Sequence, residues 1–330
     1  CSRRCTGFEA FCARHDTIDI CMSAVYPQPP QPAHGWKQPV RPAMLAILLL
    51  AFALRAWKLD LQSLWSDEGI SLQRAAQSLP ELLVSLPTEH TPGYFVLLHG
   101  WVRLAGETDF ALRFLSLAPS VLAVALIYAL GRALGAGPQS GASQRQGKNP
   151  PPSLPPDPPP NQFGGYLHAK PVETGWVAVV AATLLATSGF QIWYAQEARM
   201  YAWLLAVGLV AMWAQWQLLE RPGRNANGWA IAYALATAGV VYLHLYGALL
   251  PLAQAIFALG WLLMRCDGRA FGRWALASLA ALLLFAPWLP HSLGIFGFTG
   301  WRQGGNAAEL PWRYWLAYTA SDGLAEPWRA

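Results

Sequence analysis

The side chains that could move a proton or hold an anion fall in three short clusters and one isolated position. LWSDEGISL, Leu64 to Leu72, sets Asp67 beside Glu68. TEHTPGYF, Thr88 to Phe95, carries Glu89 and His90, and YAQEARMY, Tyr194 to Tyr201, carries Gln196, Glu197, Arg199 and Tyr201. His244 stands by itself between two tyrosines in VVYLHLYGALL. A carboxylate serves as a general base, the more so where desolvation raises its proton affinity. Asp67 follows Trp65, an aromatic of the kind that anchors at a membrane interface. Against that stands the ordinary reading, in which acids beyond an apolar run mark a solvated loop. Glu197 and Tyr201 lie four apart and Gln196 and Arg199 three apart, so a helix would put each pair on one face. Glu197 with Arg199 reads equally as a structural ion pair or as part of a site, since charge at the edge of a span is costly to desolvate. His90 precedes a Pro that can open a helix and reads as a metal ligand, a phosphate contact or a cap.

The elements that must position these residues are membrane helices. Of the 330 residues 54% are hydrophobic and only 12% charged, too little polar surface for a water-soluble globule of this size. Seventeen Trp fit repeated bilayer interfaces, where the ring stays in lipid and its polar tip in water. The net charge of +5 comes with few lysines and no basic run interleaved with aromatics, which argues against nucleic acid. No phosphate-binding glycine loop, nucleophile elbow or HExxH helix is present. Cys1, Cys5, Cys12, Cys21 and Cys266 match no zinc or redox spacing.

A helix needs about 20 apolar residues to cross the hydrocarbon. The spans expected are Ala43 to Trp57, Phe110 to Leu134, Gly175 to Trp193, Tyr201 to Leu219, Trp229 to Tyr246, Gly247 to Met264 and Trp274 to Leu289. Thr91 to Leu104 is apolar but short, and charge decides its status. If it lies along the interface or re-enters, Arg132, Arg145, Lys148, Lys170, Arg221, Arg224, Arg265, Arg269 and Arg273 share one side, the cytoplasm by the positive-inside rule. Asp60, Asp67, Glu68, Glu81, Glu89, Glu107, Asp109 and Glu197 then share the other. The expectation is an all-α polytopic bundle of about seven spans with its N-terminus cytoplasmic. Residues 1–42 read as a disordered or over-extended leader and 43–330 as one membrane domain. Within it, 59–109 is a long first external loop with juxtamembrane helices, 136–174 a Pro-rich cytoplasmic insert, and 291–330 an external stretch ending as if truncated.

In order and spacing, LWSDE, EHTPGYFVLLHGWVRLAGETDFALRFLSL, FQIWYAQEARMYAW and YLHLYG resemble the GT-C superfamily of integral membrane glycosyltransferases, across about Arg55 to Pro290. The branch concerned holds protein O-mannosyltransferases, aminoarabinose transferases and bacterial relatives of the glycosyltransferase family 39 type. The Pro-rich insert departs from the compact cytoplasmic loop of such enzymes, and the later spans and C-terminal domain have no counterpart here.

The resemblance implies transfer of a sugar from a polyprenyl-phosphate donor to a hydroxyl of a lipid, glycan or protein, on the extracytoplasmic face of a bacterial plasma membrane, with inversion. It makes Asp67 the base, with Glu68 and Glu197 as further catalytic carboxylates. It makes Arg199 the group that meets the leaving phosphate, with Tyr201, His90, Gln196 and His244 as further substrate contacts. No cofactor is called for, although a divalent cation shared by Asp67 and Glu197 fits the superfamily. Arg55 and Arg113 match positions often basic in the family, and snorkelling to the interface accounts for them equally. The main rival is a transporter or flippase, which would gather its charges at mid-membrane in broken helices, often with inverted repeats. A non-catalytic membrane scaffold is a third class, opposed by the intact Asp67, Glu68, Glu197 and Arg199.

Overall fold

The computed structural model describes residues 40–135, 174–220 and 225–297. Nearly all of the leader and the Pro-rich insert, and residues 298–330 of the last stretch, therefore lie outside the described residues. Every regular element among the described residues is a helix. They are α1 (Val40–Ala56), α2 (Ser66–Ala76), α3 (Leu79–Ser85), α4 (Gly93–Ala105), α5 (Asp109–Gly135), α6 (Thr174–Thr187), α7 (Gly189–Ala195), α8 (Tyr201–Glu220), α9 (Ala226–Leu243), α10 (Leu249–Arg265), α11 (Gly268–Phe285) and α12 (Leu289–Leu293). A 3-10 turn, Leu245–Ala248, leads into α10.

Five helices are long and apolar enough to cross a membrane: Asp109–Leu134, Tyr201–Glu220, Ala226–Leu243, Leu245–Arg265 and Gly268–Phe296. The pair α6 and α7 makes a sixth if counted as one span bent by 58° at Ser188. With the shorter apolar α1 these account for the seven expected segments. Two limits move for identifiable reasons. Asp267 Oδ1 accepts from the amides of Arg269 and Ala270, so α11 begins ahead of Trp274. His244 is extended (φ −158°, ψ 136°) and ends α9 before Tyr246.

Helix α5 packs on α6 and α8, α8 on α9, and α9 on α11. Small residues make these contacts. A Cβ built on Gly131 of α5 would stand 3.1 Å from Ala178 of α6, and Ala123, Ala182, Ala206, Ala211 and Ala214 are buried. Between membrane helices, where lipid competes equally for apolar contact, close approach and polar links supply the association. One such link joins Gln215 Nε2 to the Gln254 carbonyl at 2.8 Å, and the Tyr233 hydroxyl reaches Gln254 Oε1 at 3.3 Å.

Arg55 does not snorkel. It is fully buried: Nε donates to Ser120 Oγ at 2.7 Å, Nη1 to the Ala186 carbonyl at 2.8 Å and Nη2 to the Leu185 carbonyl at 3.0 Å. Those carbonyls close α6, where the last turn lacks internal donors and the helix dipole favours a cation. The arginine thus joins α1, α5 and α6 at one end of the bundle.

Helices α2, α3 and α4 form a cap beside the spans. Ser78 and Glu81 start α3 with reciprocal capping, and the Ser78 hydroxyl donates to Glu81 Oε2 at 2.7 Å. α4 has 13 residues, too few to cross. It packs on α2 and α5 through buried Tyr94, Phe95, Leu98 and Val102. Its first residue, Gly93, lies so close to α9 that a Cβ there would be 2.6 Å from the Tyr242 carbonyl oxygen.

Candidate functional site

The first turn of α2 separates the two acids. Successive residues on a helix project about 100° apart, so one points inward when its neighbour points out. Glu68 points inward and is 1% exposed. Its Oε1 accepts from Arg113 Nε at 3.0 Å and from the Ala198 amide at 2.8 Å. Its Oε2 accepts from Arg113 Nη2 at 2.8 Å and from the Trp65 amide at 3.3 Å. Arg113 is buried too, and its Nη1 donates to the carbonyls of Leu59 and Gln62 at 2.9 and 2.6 Å. It is therefore an internal staple, and the snorkelling alternative fails for it as for Arg55. The pair ties α2, the chain leading into it, α5 and the turn around Ala198 into one unit.

That register brings the neighbours of Glu68 and Ala198 together. Asp67 Oδ2 lies 3.4 Å from Arg199 Nη2, with the Asp67 side chain 41% exposed and that of Arg199 11%. Arg199 Nη1 also approaches the Asp67 carbonyl at 3.4 Å and Ser71 Oγ at 3.5 Å, while its buried Nε has no acceptor. Its backbone is held by Ser116, whose hydroxyl donates to the Arg199 carbonyl at 2.9 Å. Every side-chain contact of this guanidinium is long, in contrast to the tight partners of Arg113.

The helix expected through QEAR is absent. α7 ends at Ala195 and α8 begins at Tyr201, so Gln196 and Arg199, and Glu197 and Tyr201, share no helical face. The non-helical connection lets each side chain leave in its own direction. Gln196 Nε2 turns to α1 and donates to the carbonyls of Arg55 and Trp57 at 3.2 and 2.9 Å, which closes the C-terminus of that helix. Glu197 accepts from Trp193 Nε1 at 2.7 Å. Burial raises its pKa to about 7, with Glu68 and Asp67 adding to the rise and the Trp193 bond and Arg199 opposing it. The carboxyl whose proton affinity desolvation lifts is thus Glu197. Tyr201 opens α8, its ring 4.4 Å from Tyr194 and 6.1 Å from His244.

His90 does not cap α4, whose N-cap is Pro92 with no side-chain bond. Its ring meets the Phe95 ring edge-on at 5.5 Å. Burial, and then the charge of Arg74, push its pKa down to about 4, so at neutral pH it offers a hydrogen bond and no charge. His244 Nδ1 accepts from the Tyr246 amide at 3.1 Å, and burial followed by the charge of Arg199 lowers its pKa. The charge of Arg199 acts on both histidines and lowers the pKa of each. Among the described residues no three His, Cys, Asp or Glu side chains converge as a metal site. Asp67 and Glu197 would offer a divalent cation two carboxylates, the rest of its shell falling to water and substrate, and no step below runs through a metal.

Two residues of this region were passed over in the sequence, Ser71 and Arg74. The signal was available, since Asp67, Ser71 and Arg74 stand at i, i+4 and i+7 on α2.

No family model and no curated protein sequence matches the chain. Its fold is similar to a solved structure of the S. cerevisiae protein O-mannosyltransferase Pmt1-Pmt2 complex bound to the sugar donor. The TM-score is 0.54 at 16% identity, over 80% of this chain. This chain spans only 34% of the length of that one. At such identity the likeness speaks for the fold alone, an arrangement of α-helices of membrane-crossing length.

Proposed function

We propose that the chain is a membrane glycosyltransferase that moves a sugar from a polyprenyl-phosphate-linked donor to a hydroxyl of a lipid, glycan or protein. It acts with inversion on the extracytoplasmic face of a bacterial plasma membrane, as one membrane domain over 43–330 with 59–109 external. The observation that carries this reading is the pairing of a half-exposed carboxylate, Asp67, with a buried and incompletely bonded guanidinium, Arg199. The likeness in fold supports it.

In the reaction Asp67 accepts the proton of the acceptor hydroxyl while that oxygen attacks the anomeric carbon. The anomeric carbon–oxygen bond to phosphate breaks on the opposite face, and the electron pair leaves with the phosphate. Arg199 offers that phosphate a planar fork of donors. Tyr201, His90 and His244 border the same region and present a phenol and two neutral imidazoles to the donor. Glu197 orients the acceptor or the sugar. Glu68 and Gln196 act through others: Glu68 sets the Asp67–Arg199 register, and Gln196 anchors the connection to α1.

Among the described residues the bend between α6 and α7 is a feature that a transporter would share. Asp67 and Arg199 lie instead in the cap and in a connection between helices. The test supplies a radiolabelled polyprenyl-phosphate sugar to membranes carrying the protein. Loss of transfer in Asp67→Asn is expected; undiminished transfer there would remove Asp67 as the base. Single cysteines at the exposed positions Gln73 and Arg269 should label from opposite sides, and labelling of both from outside would overturn the proposed orientation.

A further inference from the structure

Arg74 is a charged side chain that the proposed reaction does not use. It shares one face of α2 with Asp67 and Ser71, and that face meets Arg199, whose Nη2 lies 3.4 Å from Asp67 Oδ2 and Nη1 3.5 Å from Ser71 Oγ. The guanidinium carbon of Arg74 stands 5.4 Å from the centre of the Phe95 ring, which His90 meets edge-on at 5.5 Å. Each guanidinium keeps one buried N–H without an acceptor, Nη1 of Arg74 and Nε of Arg199. Among the described residues no carboxylate forms an ion pair with Arg74. Burial lowers its proton affinity first, and the charges acting on it after that are Glu89, Arg199 and Asp67, so the second guanidinium is within electrostatic reach. Two cations with dry, unpaired donors are unfavourable together until an anion accepts from both.

The neighbourhood also says what the anion is attached to. An apolar groove of about 650 Å³ is lined by Pro92 and Gly93, which follow His90 closely in the chain, and by Trp203 and Val207 of α8 and Tyr242 of α9. A phosphate joined to a hydrocarbon chain suits the two features together, where a free anion would use only one.

Resting on the reading that the donor is a prenyl phosphate, we propose that Arg74 and Arg199 form a two-guanidinium clamp on its phosphate. The phosphate oxygens accept from Arg74 Nη1 and Arg199 Nε, and the chain leaves along the groove at Pro92. Arg74 binds the donor and touches neither the acceptor nor the proton in flight.

The test uses the full chain in nanodiscs with farnesyl phosphate as probe, and farnesol and inorganic phosphate as comparisons. Calorimetry gives the affinities, and ³¹P resonance reports the phosphate's surroundings. Arg74→Gln should weaken farnesyl phosphate at least about tenfold, the worth of one charge-assisted bond, and shift the bound ³¹P signal while farnesol binding holds. Arg74→Lys keeps the charge over Phe95 and should recover part of the affinity, which separates loss of the fork from loss of fold. The Arg74→Gln/Arg199→Gln double variant should lose less than the two single losses combined. If both Arg74 variants bind farnesyl phosphate as the parent does while Arg199→Gln loses it, the clamp is wrong and the donor reading stands. If the parent holds farnesyl phosphate no better than farnesol, the donor reading falls and the clamp with it. Inorganic phosphate binding as tightly as farnesyl phosphate would overturn the lipid part of the proposal.

Discussion

Replacing Glu68 by Gln should damage the fold first and the chemistry as a consequence. The carboxylate accepts four hydrogen bonds, two from Arg113 and one each from the amides of Ala198 and Trp65. An amide can accept only at its one oxygen, and its NH₂ group must then face another donor. Breaking a buried ion pair from one side costs about 3–5 kcal/mol, because the surviving charge stays dry. Arg113 keeps its bonds to Leu59 and Gln62, which puts the expected loss near the lower end, about 3 kcal/mol. Denaturant unfolding in mixed micelles measures it. Glu68→Met/Arg113→Met, which removes both charges, should be more stable than either single variant, with a coupling of about 2 kcal/mol. Asp67→Asn, at a half-exposed side chain, should unfold within about 1 kcal/mol of the parent. The reasoning is refuted if Glu68→Gln unfolds like the parent, or if the two Met substitutions are simply additive.

Three other outcomes follow from the same geometry. Glu197 has its pKa raised from 4.5 to about 7; the folded state therefore holds this proton more tightly, and the associated stability is complete below pH 4.5 and lost as pH rises through about 7. An infrared carboxyl band titrating near pH 7 and missing in Glu197→Gln would confirm it; a midpoint near 4.5 would contradict it. Gly93→Ala should lower stability by about 1–3 kcal/mol, since its Cβ meets the Tyr242 carbonyl at 2.6 Å and α4 must shift; unchanged unfolding would argue against this contact. Arg55→Met should cost about 2–4 kcal/mol by leaving the Leu185 and Ala186 carbonyls without their donor, and the loss should appear in unfolding measurements at any donor concentration.

The helices were legible because each span is its own signal: a run of apolar residues long enough to cross has one stable form in lipid. Thr91 to Leu104 shows the same rule from the other side, its length and its charges pointing to the short cap helix α4. The site was legible in part. The clusters around Asp67, His90 and Arg199, and His244, were each visible as polar residues at the ends of apolar runs, and the structure brings them to one region. Arg74 was overlooked because a lone arginine in a polar helix looks solvated until the partners on its face are known.

Composition and hydrophobic run length therefore determine by themselves that this is an α-helical membrane chain with about seven apolar segments, and where its polar residues gather. Those are local properties, written residue by residue. Only the tertiary structure gives Asp67 and Glu68 different surroundings, because a helix turns adjacent residues to different sides and what waits there, Arg199 or Arg113, comes from elsewhere in the chain. It also decides that Gln196 closes α1 and that Arg55 and Arg113 are internal staples. Each of those assignments depends on a partner more than forty positions away, and no periodicity in a single segment encodes such a partner.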